Sequence, residues 1–155
     1  MVKVLFVCHG NICRSTMAEF VFKDMVKKEN LADRFLILSA ATSSEEIGNP
    51  IHRGTRKKLK EVGIPFDENK TAVKIKKCDY DKFDYIIGMD NMNMVNMKRV
   101  FDGDPEGKIF RLLYFHGLER DIADPWYTGN FDLTYEDIIM GLSGFLNFLR
   151  ENKII

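Results

Sequence analysis

The sequence predicts an α/β fold: a single three-layer domain over residues 1–155, with a four-stranded parallel sheet and helices on both faces. Three observations predict it. Short apolar runs alternate along the chain with amphipathic helical stretches, an order typical of parallel strands joined by crossover helices. A length of 155 residues suits one hydrophobic core. Hydrophobic residues make up 45% of the chain and charged residues 30%, as in an ordinary globular protein.

Four apolar runs are the strand candidates. The first, Val4 to Val7, is followed by Cys-His-Gly-Asn, which indicates a buried strand that enters a loop. The other three are Phe35 to Leu38, Tyr85 to Met89 and Ile109 to Tyr114. In parallel sheets, ligands bind beyond the carboxyl ends of the strands, where the strand order reverses. Cys8, directly after the first strand, therefore lies where this architecture places a binding site.

The helices are predicted at Thr16 to about Lys28, His52 to Val62, Asn91 to Phe101 and about Tyr135 to Asn152. Gly63 can end the second helix, and we interpret the methionines of the third as core residues. Apolar residues of the last helix recur with a period close to 3.6. Thr134 with Asp137 predicts a capping box at its start.

The composition argues against several classes of partner. Basic and acidic residues number 23 each, so no net charge attracts the chain to nucleic acid or an anionic membrane. No apolar run is long enough for a signal peptide or a membrane span. Three cysteines are sparse for a disulfide scaffold, which favours a reducing cytoplasm. His52 and His116 lack partners at ligand spacing, so we expect no metal or other cofactor. A monomer is favoured.

The loop from Cys8 to Ser15 combines three features that suit a phosphate group. Successive backbone N–H groups and a helix start can cradle a dianion, and Gly10 and Asn11 suit the positive φ angles of such a loop. Arg14 can place two N–H groups on two phosphate oxygens. The same positive field favours a thiolate at Cys8, which the hydroxyl of Ser15 could reach. This spacing, directly between a strand and a helix, predicts a thiol nucleophile.

A thiolate that attacks a phosphate ester also needs an acid to protonate the leaving oxygen. The best candidate is Asp124, in the segment Asp-Pro-Trp-Tyr-Thr-Gly. Trp126 and Tyr127 supply flat apolar walls for an aromatic leaving group, and Gly129 permits a turn. The segment follows the fourth predicted strand, so it should emerge at the same sheet edge as Cys8.

These two segments resemble the low-molecular-weight protein tyrosine phosphatases. The stretch from Val7 to Ser15, followed by Met-Ala-Glu, is similar to the amino-terminal motif of the family, and Asp124 to Tyr127 is similar to its acid loop. Shorter matches fall at Ser39 to Thr42, Gly48 to Pro50 and Phe83 to Asp90, so the likeness covers nearly the whole chain.

The resemblance implies a two-step, metal-free hydrolysis of phosphotyrosine in proteins or of small aryl phosphates, with Cys8 as nucleophile, Arg14 on the phosphoryl oxygens and Asp124 as acid and then base. Cys13 matches a loop cysteine that forms a reversible disulfide with the nucleophile. Ser39 matches a residue that braces the loop. The implied substrate-binding residues are His9, Gly10, Asn11, Ile12, Cys13, Ser15, Glu45, Trp126 and Tyr127.

The chain departs from the family pattern mainly at the pocket mouth. Glu45 replaces a common aromatic residue, His9 a common apolar residue and Trp126 a usual tyrosine. A glutamate there should disfavour acidic peptides and admit basic ones. Near residues 68–70 we find no histidine of the kind many members carry, so Glu19, often its partner, must be neutralised otherwise.

Three alternatives stay open. An arsenate reductase on the same scaffold would pass oxidation from Cys8 to a further cysteine pair, yet only Cys78 lies outside the loop. A phosphatase for another phosphorylated residue, such as phosphoarginine, is disfavoured by Ile12 beneath the pocket and by the aromatic wall. A phospho-ligand binding module without turnover would need a hidden defect, because both Cys8 and Asp124 are present.

Overall fold

The computed structural model describes residues 1–155 and is built on one sheet of four parallel strands. The strands lie in the order β2-β1-β3-β4, and their bounds are Val2–Cys8 (β1), Phe35–Ala41 (β2), Tyr85–Gly88 (β3) and Ile109–Arg111 (β4). The chain leaves β1 toward β2 on one side and later adds β3 on the other, so the strand order reverses at β1. The predicted fold class is confirmed.

Six helices accompany the sheet: Arg14–Lys28 (α1), Arg53–Glu61 (α2), Asp79–Lys82 (α3), Asn91–Val100 (α4), Pro125–Thr128 (α5) and Phe131–Glu151 (α6). Two 3₁₀ turns lie at Ala32–Arg34 and Leu112–His116. The short helices α3 and α5 were not expected from the sequence. None of the helices combines the length and the apolar character needed to cross a bilayer.

Alternation along β1 divides the core into two layers. Val4, Phe6 and Cys8 face a large apolar cluster that contains α1 and α6, whereas Leu5 and Val7 face a smaller cluster with α4. Successive side chains of a strand point to opposite faces, and β1 is buried on both. Because β1 is central and fully packed, the residue at its carboxyl end is held rigidly.

Three predicted boundaries were wrong by three or more residues. β2 continues to Ala41 rather than ending at Leu38. β4 ends at Arg111 rather than Tyr114, because the buried pair Leu112 and Leu113 turns into a 3₁₀ helix against α6 instead of alternating between two faces. Helix α6 begins at Phe131 with Asn130 as its cap, four residues before the predicted start.

The predicted capping box of Thr134 and Asp137 does not form. The Thr134 hydroxyl donates to backbone carbonyls, including that of Ala123. Asp137 instead accepts two hydrogen bonds from Arg120, at 2.8 and 2.9 Å. Thr134 and Asp137 therefore make tertiary contacts with the segment that leads into the Asp124 loop.

Candidate active site

Residues 8–15 form a tight loop between the end of β1 and the start of α1. Asn11 adopts a φ of 60°, as the sequence predicted, but Gly10 does not have a positive φ. A Cβ at Gly10 would lie 3.3 Å from the Glu46 side chain, a tight contact. The loop is held to β2 from outside, because the amides of Thr42 and Ser43 donate to the carbonyls of Cys8 and His9.

Asn11 is the central hydrogen-bonding residue of this loop. Its side-chain oxygen accepts from the ammonium group of Lys70 at 3.1 Å and from the amide of Val73 at 3.2 Å. Two donors at the oxygen fix the orientation of the amide, so the nitrogen faces two hydroxyls. It lies 2.8 Å from Oγ of Ser15 and 2.9 Å from Oγ of Ser39.

The thiol of Cys8 lies at the end of this chain of contacts. Its sulfur is 3.0 Å from Oγ of Ser15 and 3.3 Å from the amide nitrogen of Asn11, which donates to it. Because the nitrogen of Asn11 donates to Ser15, the hydroxyl proton of Ser15 is free to be donated to a Cys8 thiolate. The predicted contact between Ser15 and the sulfur is present.

Cys13, the second cysteine of the loop, is also buried and is a free thiol, as is Cys8. Burial, together with the nearby charges of Cys8 and Asp124, raises the pKa of Cys13 to about 12. Cys13 therefore stays protonated near neutral pH. The remaining cysteine, Cys78, is exposed at the start of α3, outside the cavity described below.

Glu19 is buried behind the loop and is neutralised without a histidine. Ser39 donates to one of its oxygens at 2.5 Å, and the ammonium group of Lys23 donates to the other at 2.6 Å. Lys70 adds a second positive charge near Glu19. Burial lowers the pKa of Lys70, but its two hydrogen bonds to Asn11 and to the Ser39 carbonyl hold it against the loop.

Arg14 is almost fully buried, at 2% exposure. Nη1 donates to Asp90 at 2.7 Å and to the carbonyl of Ile122 at 2.9 Å, and Nη2 lies 3.4 Å from the carboxylate of Asp124. Burial alone would lower the pKa of Arg14, but the negative charges of Cys8 and Asp90 outweigh it and raise the pKa. The guanidinium is therefore a fixed positive charge.

Asp124 is held by the short helix that follows it. It caps α5, with one carboxylate oxygen accepting from the amide of Trp126 at 3.0 Å. Pro125 occupies the first helical position, where its missing N–H costs nothing. Gly129 ends the helix with a φ of 69°, the turn that the sequence predicted.

A cavity of about 110 Å³ opens between these segments. This is small beside the roughly 300–1,000 Å³ of typical small-molecule sites, so it can enclose a tetrahedral anion and little more. The cavity is lined by Cys8, His9, Gly10, Ile12, Cys13, Arg14, Glu45, Glu46, Asp124, Trp126 and Tyr127. Two residues predicted to bind substrate are not in the lining: Asn11 and Ser15 are buried. They support the site rather than form its surface, as does Ser39, which was predicted to brace the loop.

The mouth of the cavity is acidic on one side and aromatic on the other. The imidazole of His9 lies 2.9 Å from the carboxylate of Glu45, and both are exposed. Glu46, which the sequence did not single out, lies beside them in the lining. Trp126 and Tyr127 also line the mouth and are 56% and 83% exposed, so most of a substrate beyond its phosphoryl group would rest on open surfaces.

A buried thiol, a charged arginine and a carboxylate, gathered on one anion-sized cavity at the carboxyl edge of a parallel sheet, define the class of small α/β phosphoric monoester hydrolases. The sequence model of the low molecular weight phosphotyrosine protein phosphatase family matches residues 3–154. The chain belongs to this family.

Similar proteins agree with that assignment. The chain is 39% identical to the low molecular weight protein-tyrosine-phosphatase YfkJ of Bacillus subtilis over 155 residues, 99% of each protein. The crystal structure of YfkJ superposes with a TM-score of 0.92, covering 99% of this chain and 97% of that one. The low molecular weight protein tyrosine phosphatase SP-PTP of Streptococcus pyogenes superposes with a TM-score of 0.87 at 44% identity, covering 96% and 93%.

The solved structure of a protein with a different described activity also matches. It is described as a Drosophila arginine phosphatase, and it superposes with a TM-score of 0.84 at 33% identity, covering 95% of this chain and 97% of that one. The scaffold therefore occurs in proteins described as acting on different phosphorylated residues, and the substrate of this chain must be argued from its own cavity.

Proposed function

We propose that the chain hydrolyses phosphotyrosine in proteins, and small aryl phosphates, through a phosphocysteine intermediate. The observation that supports this most is the position of the Cys8 sulfur, which lines the cavity with Arg14 and Asp124 while contacting Ser15 at 3.0 Å. A hydroxyl and a backbone amide aimed at a sulfur stabilise a thiolate, the form of cysteine that acts as a nucleophile.

In the first step the Cys8 thiolate attacks phosphorus, and the bond from phosphorus to the ester oxygen breaks. The charge that spreads over the three other phosphoryl oxygens is met by the guanidinium of Arg14 and by the backbone N–H groups of the loop. Asp90 and the Ile122 carbonyl hold the guanidinium from behind, so it is oriented before the substrate arrives.

Asp124 supplies the proton that the leaving oxygen needs. Its carboxylate lies 3.4 Å from Nη2 of Arg14. In this step Asp124 acts as the carboxylic acid, and a bound phosphate dianion takes its place as the partner of that guanidinium. The acid transfers its proton to the departing oxygen, giving the free alcohol or phenol and a phosphocysteine.

In the second step Asp124, now a carboxylate, accepts a proton from a water molecule. The water oxygen attacks phosphorus, the bond from sulfur to phosphorus breaks, and inorganic phosphate leaves. Cys8 returns as a thiolate, stabilised again by the hydroxyl of Ser15. No atom is lost and no oxidation occurs, so the cycle needs only water.

The aromatic wall supports an aryl substrate. The cavity encloses little more than the phosphoryl group, so the group next to it must lie along Trp126 and Tyr127 or over Ile12. Flat apolar surfaces favour a phenyl ring there.

The test is hydrolysis of p-nitrophenyl phosphate under reducing conditions with excess chelator, by wild type, Cys8→Ser and, as a matched control, Cys78→Ser. We expect wild type and Cys78→Ser to be active and Cys8→Ser to be inactive. Activity that survives in Cys8→Ser would contradict the nucleophile. An inactive wild type would contradict turnover, and arsenate reduction or phosphopeptide retention should then be assayed. Faster release of phosphate from phosphoarginine than from phosphotyrosine would overturn the substrate class.

A further inference from the structure

His52 lies between the two loops of the site, although no part of the mechanism above uses it. Its backbone amide donates to the carbonyl of Ile12 in the phosphate loop at 2.9 Å. Its ring stacks on Phe131 with centroids 5.4 Å apart and planes at 19°, and meets the ring of Trp126 edge-on at 5.5 Å. One residue therefore contacts both the loop of the nucleophile and the loop of the acid.

The contact between His52 and Trp126 is linked to the acid through one hydrogen bond. The amide of Trp126 donates to the carboxylate of Asp124 at 3.0 Å, within a helix of only four residues. Trp126 is 56% exposed, so few other groups hold its ring. The His52 ring is an aromatic support at the side of the turn that presents Asp124.

The support itself is rigid. Nδ1 of His52 accepts from the amide of Gly54 at 3.0 Å and so caps α2, which leaves the proton on Nε2. Phe131 closes the other face of the ring and packs tightly on Gly54, where an added Cβ would lie 2.3 Å from the phenyl ring. Phe131 also packs against the apolar cluster of Ile12 and Cys13. The imidazole is thus clamped by a helix start and an aromatic ring.

We propose that His52 is a positioning residue for the general acid: its ring fixes Trp126 and, through the Trp126 amide, the carboxylate of Asp124. The proposal rests on the acid role of Asp124 in the proposed function. It predicts a defect that is largest for substrates that need protonation of the leaving group, because Cys8 and Arg14 make no contact with the ring.

Two substitutions separate the two tasks of the side chain. His52→Asn keeps an oxygen that can cap α2 but removes the ring. His52→Phe keeps an aromatic ring for Trp126 and Phe131 but removes the cap. The readout is kcat/KM for phenyl phosphate, a poor leaving group, and for 2,4-dinitrophenyl phosphate, a good one. Asp124→Asn provides the reference for complete loss of the acid.

We expect His52→Asn to lose roughly tenfold in kcat/KM with phenyl phosphate and less than about threefold with 2,4-dinitrophenyl phosphate, because a misplaced acid is costly only where it is needed. His52→Phe should restore the wild-type ratio between the two substrates while melting several degrees lower, because the cap is lost. Inhibition by inorganic phosphate should be unchanged in both variants.

Each contrary result has one meaning. A wild-type substrate ratio in His52→Asn, with a changed ratio in Asp124→Asn, would overturn the positioning role and leave the proposed function intact. If the ratio of kcat/KM between the two substrates changes equally in His52→Phe and His52→Asn, the ring is not the cause of the effect. That result would also overturn the positioning role. A wild-type ratio in Asp124→Asn would instead contradict the acid assignment in the proposed function.

Discussion

Nη1 of Arg14 donates to Oδ2 of Asp90 across 2.7 Å, and this pair joins the phosphate loop to the segment that follows β3. The other oxygen of Asp90 accepts from the amide of Asn93 at 2.7 Å and caps α4. One carboxylate therefore orients the guanidinium and starts a helix. The two tasks can be separated, because only the first requires a negative charge.

Asp90→Asn should weaken catalysis while it preserves the fold. An asparagine still caps α4, but it presents no charge to Arg14. Hydrogen bonds to charged groups contribute about 1.5–3 kcal/mol, so kcat/KM for p-nitrophenyl phosphate should fall roughly 10- to 100-fold. The melting temperature should change by no more than a few degrees. Asp33→Asn, at an exposed site, is the control. Wild-type kinetics in Asp90→Asn would show that Arg14 needs no charged partner.

Asp124→Asn should separate substrates by their leaving groups. Asparagine can still accept from the Trp126 amide and cap α5, so stability should stay near wild type. Loss of a positioned acid costs about 10²–10⁴ in rate where protonation is needed. We expect that loss in kcat/KM with phenyl phosphate and a much smaller one with 2,4-dinitrophenyl phosphate. Equal losses with both substrates would contradict an acid role.

Lys70→Met should slow the attack of Cys8 on the substrate. Methionine keeps much of the apolar stem but removes the donor to Asn11 and to the Ser39 carbonyl, together with a positive charge near Cys8. Asn11 would then orient its amide with the Val73 N–H alone. We expect kcat/KM to fall roughly tenfold, equivalent to the ~1.4 kcal/mol of a lost charged contact.

Alkylation of Cys8 by iodoacetamide near pH 6 checks the cause of this loss. It should be slower in Lys70→Met than in wild type, because the variant lacks the positive charge of Lys70 near the sulfur. Lys74→Met, at an exposed position, should behave as wild type. A variant that loses activity but alkylates at the wild-type rate would show that Lys70 acts on the structure of the loop and not on the sulfur.

The parts of the site that lie close together in sequence were predictable. The loop from Cys8 to Ser15 and the turn at Gly129 depend on residues a few positions apart, and their chemistry is local. Helix α6 shows where local reasoning failed: Thr134 and Asp137 have the spacing of a capping box. The fold instead uses Asp137 to bind Arg120 and starts the helix at Phe131.

The supporting residues could not be located in the same way. Lys70 contacts Asn11 across 59 positions, and Asp90 contacts Arg14 across 76. Such pairs exist only once the sheet brings its carboxyl ends together. Asp90 and Asn93 carry a local signal, a cap before a helix, but it does not point to Arg14. His52 also caps the start of a helix. No local sequence pattern indicates that its ring contacts Trp126.

The stability of wild type should fall faster than that of His52→Asn as the solution is acidified. Burial first, and then the charge of Arg53, lower the pKa of His52 below its usual 6.5, although Asp124 and Glu46 oppose the shift. Below about pH 6.5 the unfolded chain therefore binds a proton at residue 52 that the folded chain binds only at lower pH. More protons bound in the unfolded state means that stability decreases as pH falls.

Thermal melting of both proteins between pH 8 and pH 5 tests this expectation. Above about pH 7.5 the difference in melting temperature should be constant, since neither state protonates His52 there. Below about pH 7.5 the melting temperature of wild type should fall relative to that of His52→Asn, because asparagine does not titrate. A constant difference in melting temperature over the whole range would mean that folding does not change the pKa of His52.

Glu45 at the cavity mouth should set a preference for basic phosphopeptides. It lies with Glu46 in the lining of the cavity, and its carboxylate contacts the exposed ring of His9 at 2.9 Å. Wild type should therefore hydrolyse a phosphotyrosine peptide flanked by arginine several-fold faster, in kcat/KM, than one flanked by glutamate. Exposed charges contribute up to about 1 kcal/mol each, so Glu45→Gln should reduce that ratio by up to about fivefold.

Salt separates this charge effect from a change in shape. Screening shortens the reach of exposed charges to about 3 Å at 1 M salt, so high salt should lower the wild-type ratio toward that of Glu45→Gln and change the variant less. Glu151→Gln, at the far end of α6, is the matched control and should keep the wild-type ratio. If Glu45→Gln and wild type show the same ratio at low salt, the acidic mouth does not select substrates, and the choice among phosphoproteins must depend on surfaces farther from Cys8.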